Sequence, residues 1–252
     1  MARVVNPSRL RSSGDAIGWK LMVQDVADKM KKTNLTVLCA VRASPVIGAV
    51  LTALGCAGLP SAPELDKIAA QTLSVSFRDQ GVAKVDRLVQ DDANRECSAA
   101  DTAGKPIDAQ IGQRIEAASL KTVQMPSDGK FLGDWKAGEA IAQNGRGLTW
   151  TDPAGSTNGG NCYNCHQISK AEVSYGTIGP SLYNYGKIRG VSNPESAASK
   201  AIVDYTWGKL WNARAYNACS GMPRFGHSQI LGEKQLKDLM ALLLDPASPV
   251  NQ

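Results

Sequence analysis

Histidine is scarce in this 252-residue chain, which contains two, His166 and His227. A metal centre built from several histidines of one chain is therefore not expected. An excess of positive charge is missing from most of the molecule as well. Residues 1–56 hold eight Lys and Arg against the three acids Asp15, Asp25 and Asp28, and the remainder holds twenty of each sign. A neutral body lacks the positive field on which phosphate binding depends, so nucleic acid is not an expected partner. There is no internal repeat, no collagen or coiled-coil period and no alternating strand pattern. What remains is 43% hydrophobic and 20% charged, enough for one compact domain or two small ones, with six cysteines.

The N-terminus carries an export pattern. Met30-Lys31-Lys32-Thr33-Asn34 precedes an apolar stretch that ends in Val46 to Leu54, followed by Gly55, Cys56 and Ala57. This is a charged start, a short apolar core and a small-residue exit. Arg42 and Pro45 keep the stretch below the roughly 20 apolar residues of a membrane span. Translation is expected to begin at Met30 and residues 1–56 to be an export signal into the periplasm. Ala53-Leu54-Gly55-Cys56 resembles a lipoprotein box that would lipidate Cys56, but Ala53 stands where a bulkier aliphatic is usual, and a soluble product is favoured.

The body reads as helical. Residues 57–121 form an extension of short helices, with Ile111, Ile115 and Ala118 on one face, and residues 122–131 read as a linker around Met125-Pro126-Ser127-Asp128-Gly129. Asp134 is placed to cap a helix ending near Gln143, and Gly138 and Ala142 leave a shallow strip on it. Leu236, Leu239, Met240 and Leu243 give the last helix a bulky stripe suited to that strip. Asn193-Pro194-Glu195 reads as a helix start, with Ala198, Ile202 and Tyr205 as its buried face.

Cys162-Tyr163-Asn164-Cys165-His166 is a C-x-x-C-H, the attachment signature of c-type haem. Cysteines three apart on one helical turn project the same way, so each can form a thioether to a haem vinyl group. His166, next in line, is placed to reach the iron. A thioredoxin-type pair would need a βαβ setting, and a zinc site would need a second ligand pair; neither is present. One covalently bound haem c is expected.

A second axial ligand must come from farther along the chain. Met222 lies in the loop-like run Ser220-Gly221-Met222-Pro223-Arg224-Phe225-Gly226, 56 residues past His166, and suits the small-cytochrome pattern. His227 and Cys219 remain alternatives, whereas Met240 sits on an apolar stripe and reads as core. Methionine ligation raises the reduction potential relative to a second imidazole and fills the coordination sphere, which favours electron transfer over chemistry at this iron. Pro180, in Gly179-Pro180-Ser181-Leu182, is expected to offer its carbonyl to the other ring nitrogen of His166. Cys97 and Cys219 are left over after the haem and the export segment, and in an oxidising compartment such a pair is expected to form a disulfide. The rival reading makes Cys219 an iron ligand or a carrier of a sulfur substrate.

Four pieces in order resemble the SoxX family, the mono-haem subunits of SoxAX cytochromes in bacterial sulfur oxidation. They are Gly160-Asn161-Cys162 through His166, Gly179-Pro180-Ser181-Leu182-Tyr183, Met222-Pro223-Arg224-Phe225-Gly226, and Leu242 through Asn251. The resemblance covers about 133–252. It implies an electron-accepting subunit of a periplasmic L-cysteine S-thiosulfotransferase complex. Cys162, Cys165, His166 and Met222 would bind the haem, and no residue of this chain would be catalytic. The implied partners are a SoxA-like cytochrome subunit that hosts the sulfur chemistry, a SoxYZ-like carrier protein whose cysteine receives thiosulfate, and a small c-type cytochrome that takes the electrons. Shorter relatives lack residues 64–121. The expected fold is all-α, with a small class I c-type cytochrome domain over 132–252 preceded by the helical extension. A free-standing soluble electron carrier is the alternative.

Overall fold

The computed structural model describes residues 60–252. The export segment, the Met30 start, Cys39 and Cys56 lie outside the described residues. Among those described there is no β-strand, only one bridge between Gln80 and Ala83. The extension contributes α1 (Ala62–Ser76), α2 (Asp92–Thr102) and α3 (Ala109–Leu120). The second half contributes α4 (Trp135–Gln143), a short α5 (Tyr185–Ile188), α6 (Lys200–Trp211) and α7 (Glu233–Leu244).

The α4–α7 pair is the centre of the core, and its geometry follows from side-chain size. Asp134 caps α4 by accepting the Lys136 N–H at 2.9 Å. A β-carbon on Gly138 would stand 2.1 Å from the Asp238 carbonyl oxygen and 3.0 Å from the Leu242 β-carbon, so the crossing requires glycine here. Ala142 is fully buried beside it, and Leu236, Leu239, Met240 and Leu243 are all buried on α7. Asp238 is a carboxylate buried in that interface. It accepts the Asp134 N–H at 2.9 Å and pairs with Lys234 at 2.8 Å, which offsets its desolvation.

The chain ending Asp245 to Asn251 satisfies carbonyls that α7 leaves unpaired at its C-terminus. Ser248 Oγ donates to the Leu242 carbonyl at 2.6 Å, and Asn251 Nδ2 donates to those of Leu243 and Asp245 at 3.1 and 3.0 Å. Asn251 Oδ1 in turn accepts the Gly186 and Lys187 N–H groups of α5. One buried amide thus joins the two helices.

Two helix faces differ from the sequence expectation. Asn193 caps only a turn, accepting the Glu195 N–H at 2.9 Å, and α6 starts at Lys200 after a 3₁₀ turn at Ala197–Ser199. Its buried face is Val203, Thr206, Trp207 and Leu210; Ala198 and Tyr205 are exposed and Ile202 is half-buried. Trp207 sets this phase. Its ring packs edge-on against Phe131 at 5.6 Å and its Nε1–H donates to the Gln124 carbonyl at 2.7 Å, so the largest side chain decides which way the helix turns. In α3, Gly112 and Ile115 are buried, Ile111 is half-buried and Ala118 is exposed, because the face turned to the 3₁₀ segment Ala213–Ala215 is narrow.

Residues 122–131 contain no helix, and they are laid along α6 and α7. Thr122 Oγ1 accepts from Asn212, Ser127 donates to Glu233, and Asp128 pairs with Lys237 at 2.7 Å. From Pro63 to Gln252 the chain forms one unit, with the extension bound to the rest by a Cys97–Cys219 disulfide. Near its start, Arg87 Nη1 donates to the Leu148 carbonyl at 2.8 Å. α1 buries none of its residues.

Candidate functional site

Residues 161–166 form a single tight turn. Asn161 takes a left-handed conformation, with φ at 50°, and a 3₁₀ turn runs over Cys162–Asn164. The Cys165 and His166 N–H groups both donate to the Cys162 carbonyl, at 3.1 and 2.9 Å. This turn brings the two cysteines and the histidine together as their spacing predicts. α4 anchors it, since the Gly160 N–H donates to the Ile141 carbonyl at 2.9 Å and the Asn161 N–H donates to that of Asn144 at 3.0 Å.

A second loop, residues 176–182, is laced onto the first. The N–H groups of Gly176, Gly179 and Leu182 donate to the carbonyls of Tyr163, Cys165 and Gln167, at 2.8, 2.8 and 2.7 Å. Here His166 Nδ1 lies 2.6 Å from the Pro180 carbonyl oxygen. A carbonyl can only accept, so Nδ1 carries the proton and Nε2 keeps its lone pair. Gly179 completes the cradle: a β-carbon there would stand 2.1 Å from His166 Cε1. Sequence reasoning gave Gly179 no role. The cue was a glycine directly before the proline, at a point where two backbones must pass an imidazole ring.

Among the described residues the cysteines separate into two classes. Cys97 and Cys219 are bonded to each other, while Cys162 and Cys165 are free. Burial pushes the Cys162 thiol up to about 12 from an ordinary 9.0, and the neighbouring Cys165 adds to the rise. Thioredoxin-type pairs have the opposite signature, a depressed pKa at an exposed sulfur.

The structure removes two of the four candidates for the second ligand. Met240 is fully buried within α7, and the sulfur of Cys219 is taken by the disulfide, which also overturns its reading as a sulfur-substrate site. Met222 is partly buried and, like Cys162 and Leu182, packs against the edge of the core cluster. His227 lies on the same loop with its N–H donating to the Trp211 carbonyl at 3.0 Å. Burial and the nearby Arg224 guanidinium hold its imidazole below the ordinary 6.5, although Asp91 works the other way.

With this geometry in place, two similarities bear on what the site holds. Residues 136–245 match the cytochrome c family. A cytochrome c domain is present. The chain is also similar to an uncharacterized lipoprotein of Aquifex aeolicus (strain VF5), 33% identical over 132 residues, which are 52% of this chain and 59% of that protein. The chain therefore spans somewhat less than two thirds of the relative it matches.

The cytochrome c domain carries covalently bound haem c and serves electron transfer, and the single C-x-x-C-H accounts for one haem. The residues present fit that group. Two unpaired thiols share one turn, an imidazole is held in the tautomer that leaves Nε2 available, and a glycine keeps the ring's edge clear. The same stretch of chain presents apolar side chains outward, with Val173 95% and Ile178 86% exposed.

Proposed function

We propose that this chain is the electron-accepting mono-haem subunit of a SoxAX-type complex, in which Cys162 and Cys165 hold the haem by thioethers and His166 and Met222 ligate its iron. Bound there, the haem supplies a one-electron ferric/ferrous couple. The observation that carries the site is the 2.6 Å contact between His166 Nδ1 and the Pro180 carbonyl oxygen. Pro180 holds the imidazole in one tautomer and makes Nε2 a better donor. Met222, a neutral thioether on a loop packed against the core, favours the ferrous state and closes the remaining position. On this reading the chain is a relay, and the sulfur chemistry belongs to a SoxA-like partner subunit.

Two features support a subunit over a free-standing carrier. The Met-Pro-Arg-Phe-Gly run and the Leu242 to Asn251 ending resemble SoxX, and α1 to α3 add a covalently attached extension that a minimal shuttle does not need. The test is reduction by thiosulfate. The purified chain alone should stay ferric, and addition of a SoxA-like subunit with a SoxYZ-like carrier should reduce it. If the reconstituted mixture leaves it ferric while a small c-type cytochrome exchanges electrons with it freely, the carrier reading replaces this one.

The lipoprotein relative favours a lipid-anchored periplasmic form through Cys56 over the soluble form. Five residues lie between Cys56 and the start of α1 at Ala62. Mass spectrometry of the exported protein tests this: diacylglyceryl-cysteine at position 56 is the expected N-terminus, and an unmodified N-terminus beyond Cys56 would contradict it.

A further inference from the structure

The segment from Arg214 to Arg224 carries Met222, and the extension grips it at several points. Arg214 Nη1 lies 3.0 Å from one carboxylate oxygen of Asp91, and Arg224 Nη1 lies 2.7 Å from the other. A single side chain therefore closes both ends of the segment. Arg214 also reaches Asn94 through Nη2. Between the two arginines, Cys219 is bonded to Cys97 three residues before Met222, and the Ala218 N–H donates to Glu116 Oε1 at 3.1 Å. Asp91 is itself fixed as the N-cap of α2, accepting the Asn94 N–H at 2.7 Å.

These ties differ from ordinary surface ion pairs. The Arg214 and Arg224 side chains are 11% and 23% exposed, and both converge on one carboxylate that is 40% exposed, so the guanidinium ends are shielded and the two pairs share the cost of ordering a single acid. The disulfide joins positions 122 residues apart and fixes a loop that no helix contains. A thioether is a weak donor, and whether it stays on a metal depends on how little freedom its loop has when it lets go.

We propose that the extension is a brace for the axial ligand: Asp91, gripping Arg214 and Arg224, and the Cys97–Cys219 disulfide are positioning residues that hold Met222 at the iron. This rests on the reading of Met222 as ligand given above. A small external ligand can enter only while Met222 is away, so its apparent affinity reports how often the loop opens.

The experiment measures imidazole binding to the ferric holoprotein, together with the red charge-transfer band that methionine gives to ferric haem c. Asp91→Asn should raise the apparent imidazole affinity roughly tenfold, equivalent to about 1.4 kcal/mol, and weaken the red band. The Cys97→Ser/Cys219→Ser double variant should shift both readouts in the same direction. Asp91→Glu, which keeps the charge, should recover part of the loss. Asp128→Asn, which removes an ion pair to Lys237 on α7, should leave both readouts unchanged. Asp91→Asn leaves the disulfide and the apolar core untouched, so it decides the matter should the double variant not fold. If Asp91→Asn keeps wild-type affinity and band while Met222→Ala loses the band and binds imidazole freely, the brace is wrong and the ligand reading stands. If Met222→Ala itself keeps the band and the wild-type affinity, the ligand reading fails and the brace with it.

Discussion

The two halves of this molecule are held together by different means. In the cytochrome half, α7 alone buries Leu236, Leu239, Met240, Leu242, Leu243 and Leu244, and α4, α5 and α6 pack around it. In the extension, α1 and α2 bury nothing and α3 buries only Gly112 and Ile115. Three helices with so little burial cannot offset their own ordering entropy by the hydrophobic effect. What ties α2 and α3 to the rest is discrete: one disulfide, an aspartate between two arginines, and a glutamate on a loop N–H. An apolar core tolerates many small changes and fails by degrees, whereas a few polar and covalent ties can be removed one at a time.

Removing the disulfide should have the largest effect on the extension. Its loop spans 122 residues, for which the chain-entropy model gives about 5 kcal/mol. The Cys97→Ser/Cys219→Ser variant should therefore lose several kcal/mol in urea denaturation, and proteolysis should begin in residues 64–121. Cleavage starting instead within α4 or α7 would erase the distinction between the halves.

Core truncation tests the other side. Leu242 is 1% exposed and meets Gly138 across the α4–α7 crossing. Leu242→Ala should cost about 3 kcal/mol. The matched change in the extension, Leu65→Ala on α1, should stay within about 0.5 kcal/mol. Similar losses at both sites would mean that the halves share one kind of stabilisation.

The smallest effect depends on pH. Burial raises Asp91, but the Asn94 N–H, Arg224 and Arg214 outweigh it and hold its carboxyl below the ordinary 3.8. A group depressed on folding contributes its stability above the unfolded pKa and loses it as pH falls through the folded one. The stability gap between wild type and Asp91→Asn should thus be full at neutral pH and shrink below about pH 3.8. A gap that persists at lower pH would show that the carboxylate charge is not what matters.

Local patterns carried much of the cytochrome half. The C-x-x-C-H turn, the Asp134 cap, the small strip at Gly138 and Ala142 and the stripe on α7 are each written within a few neighbouring residues, and the structure contains all four. The phase of α6 was not legible. Its apolar residues fit two faces, and the choice was made by Trp207, whose indole finds a ring and a carbonyl from residues 124–131, far away in sequence. Asp91 was equally silent. In sequence it is one acid beside another, and its significance comes from two arginines more than a hundred residues later, a pairing that no period or spacing encodes. Asn251 is a milder case: the ending shows in sequence only as a resemblance, while its work of joining α5 to α7 emerges from the contacts.

The central claim is that Met222 completes the coordination of an iron whose other axial ligand is His166. The most direct measurement is the ferric absorption spectrum and the midpoint potential of Met222→Ala beside those of the wild type. The account predicts that the red charge-transfer band disappears and the potential falls, since the thioether that favours ferrous iron is gone. An unaltered band and an unaltered potential would contradict it.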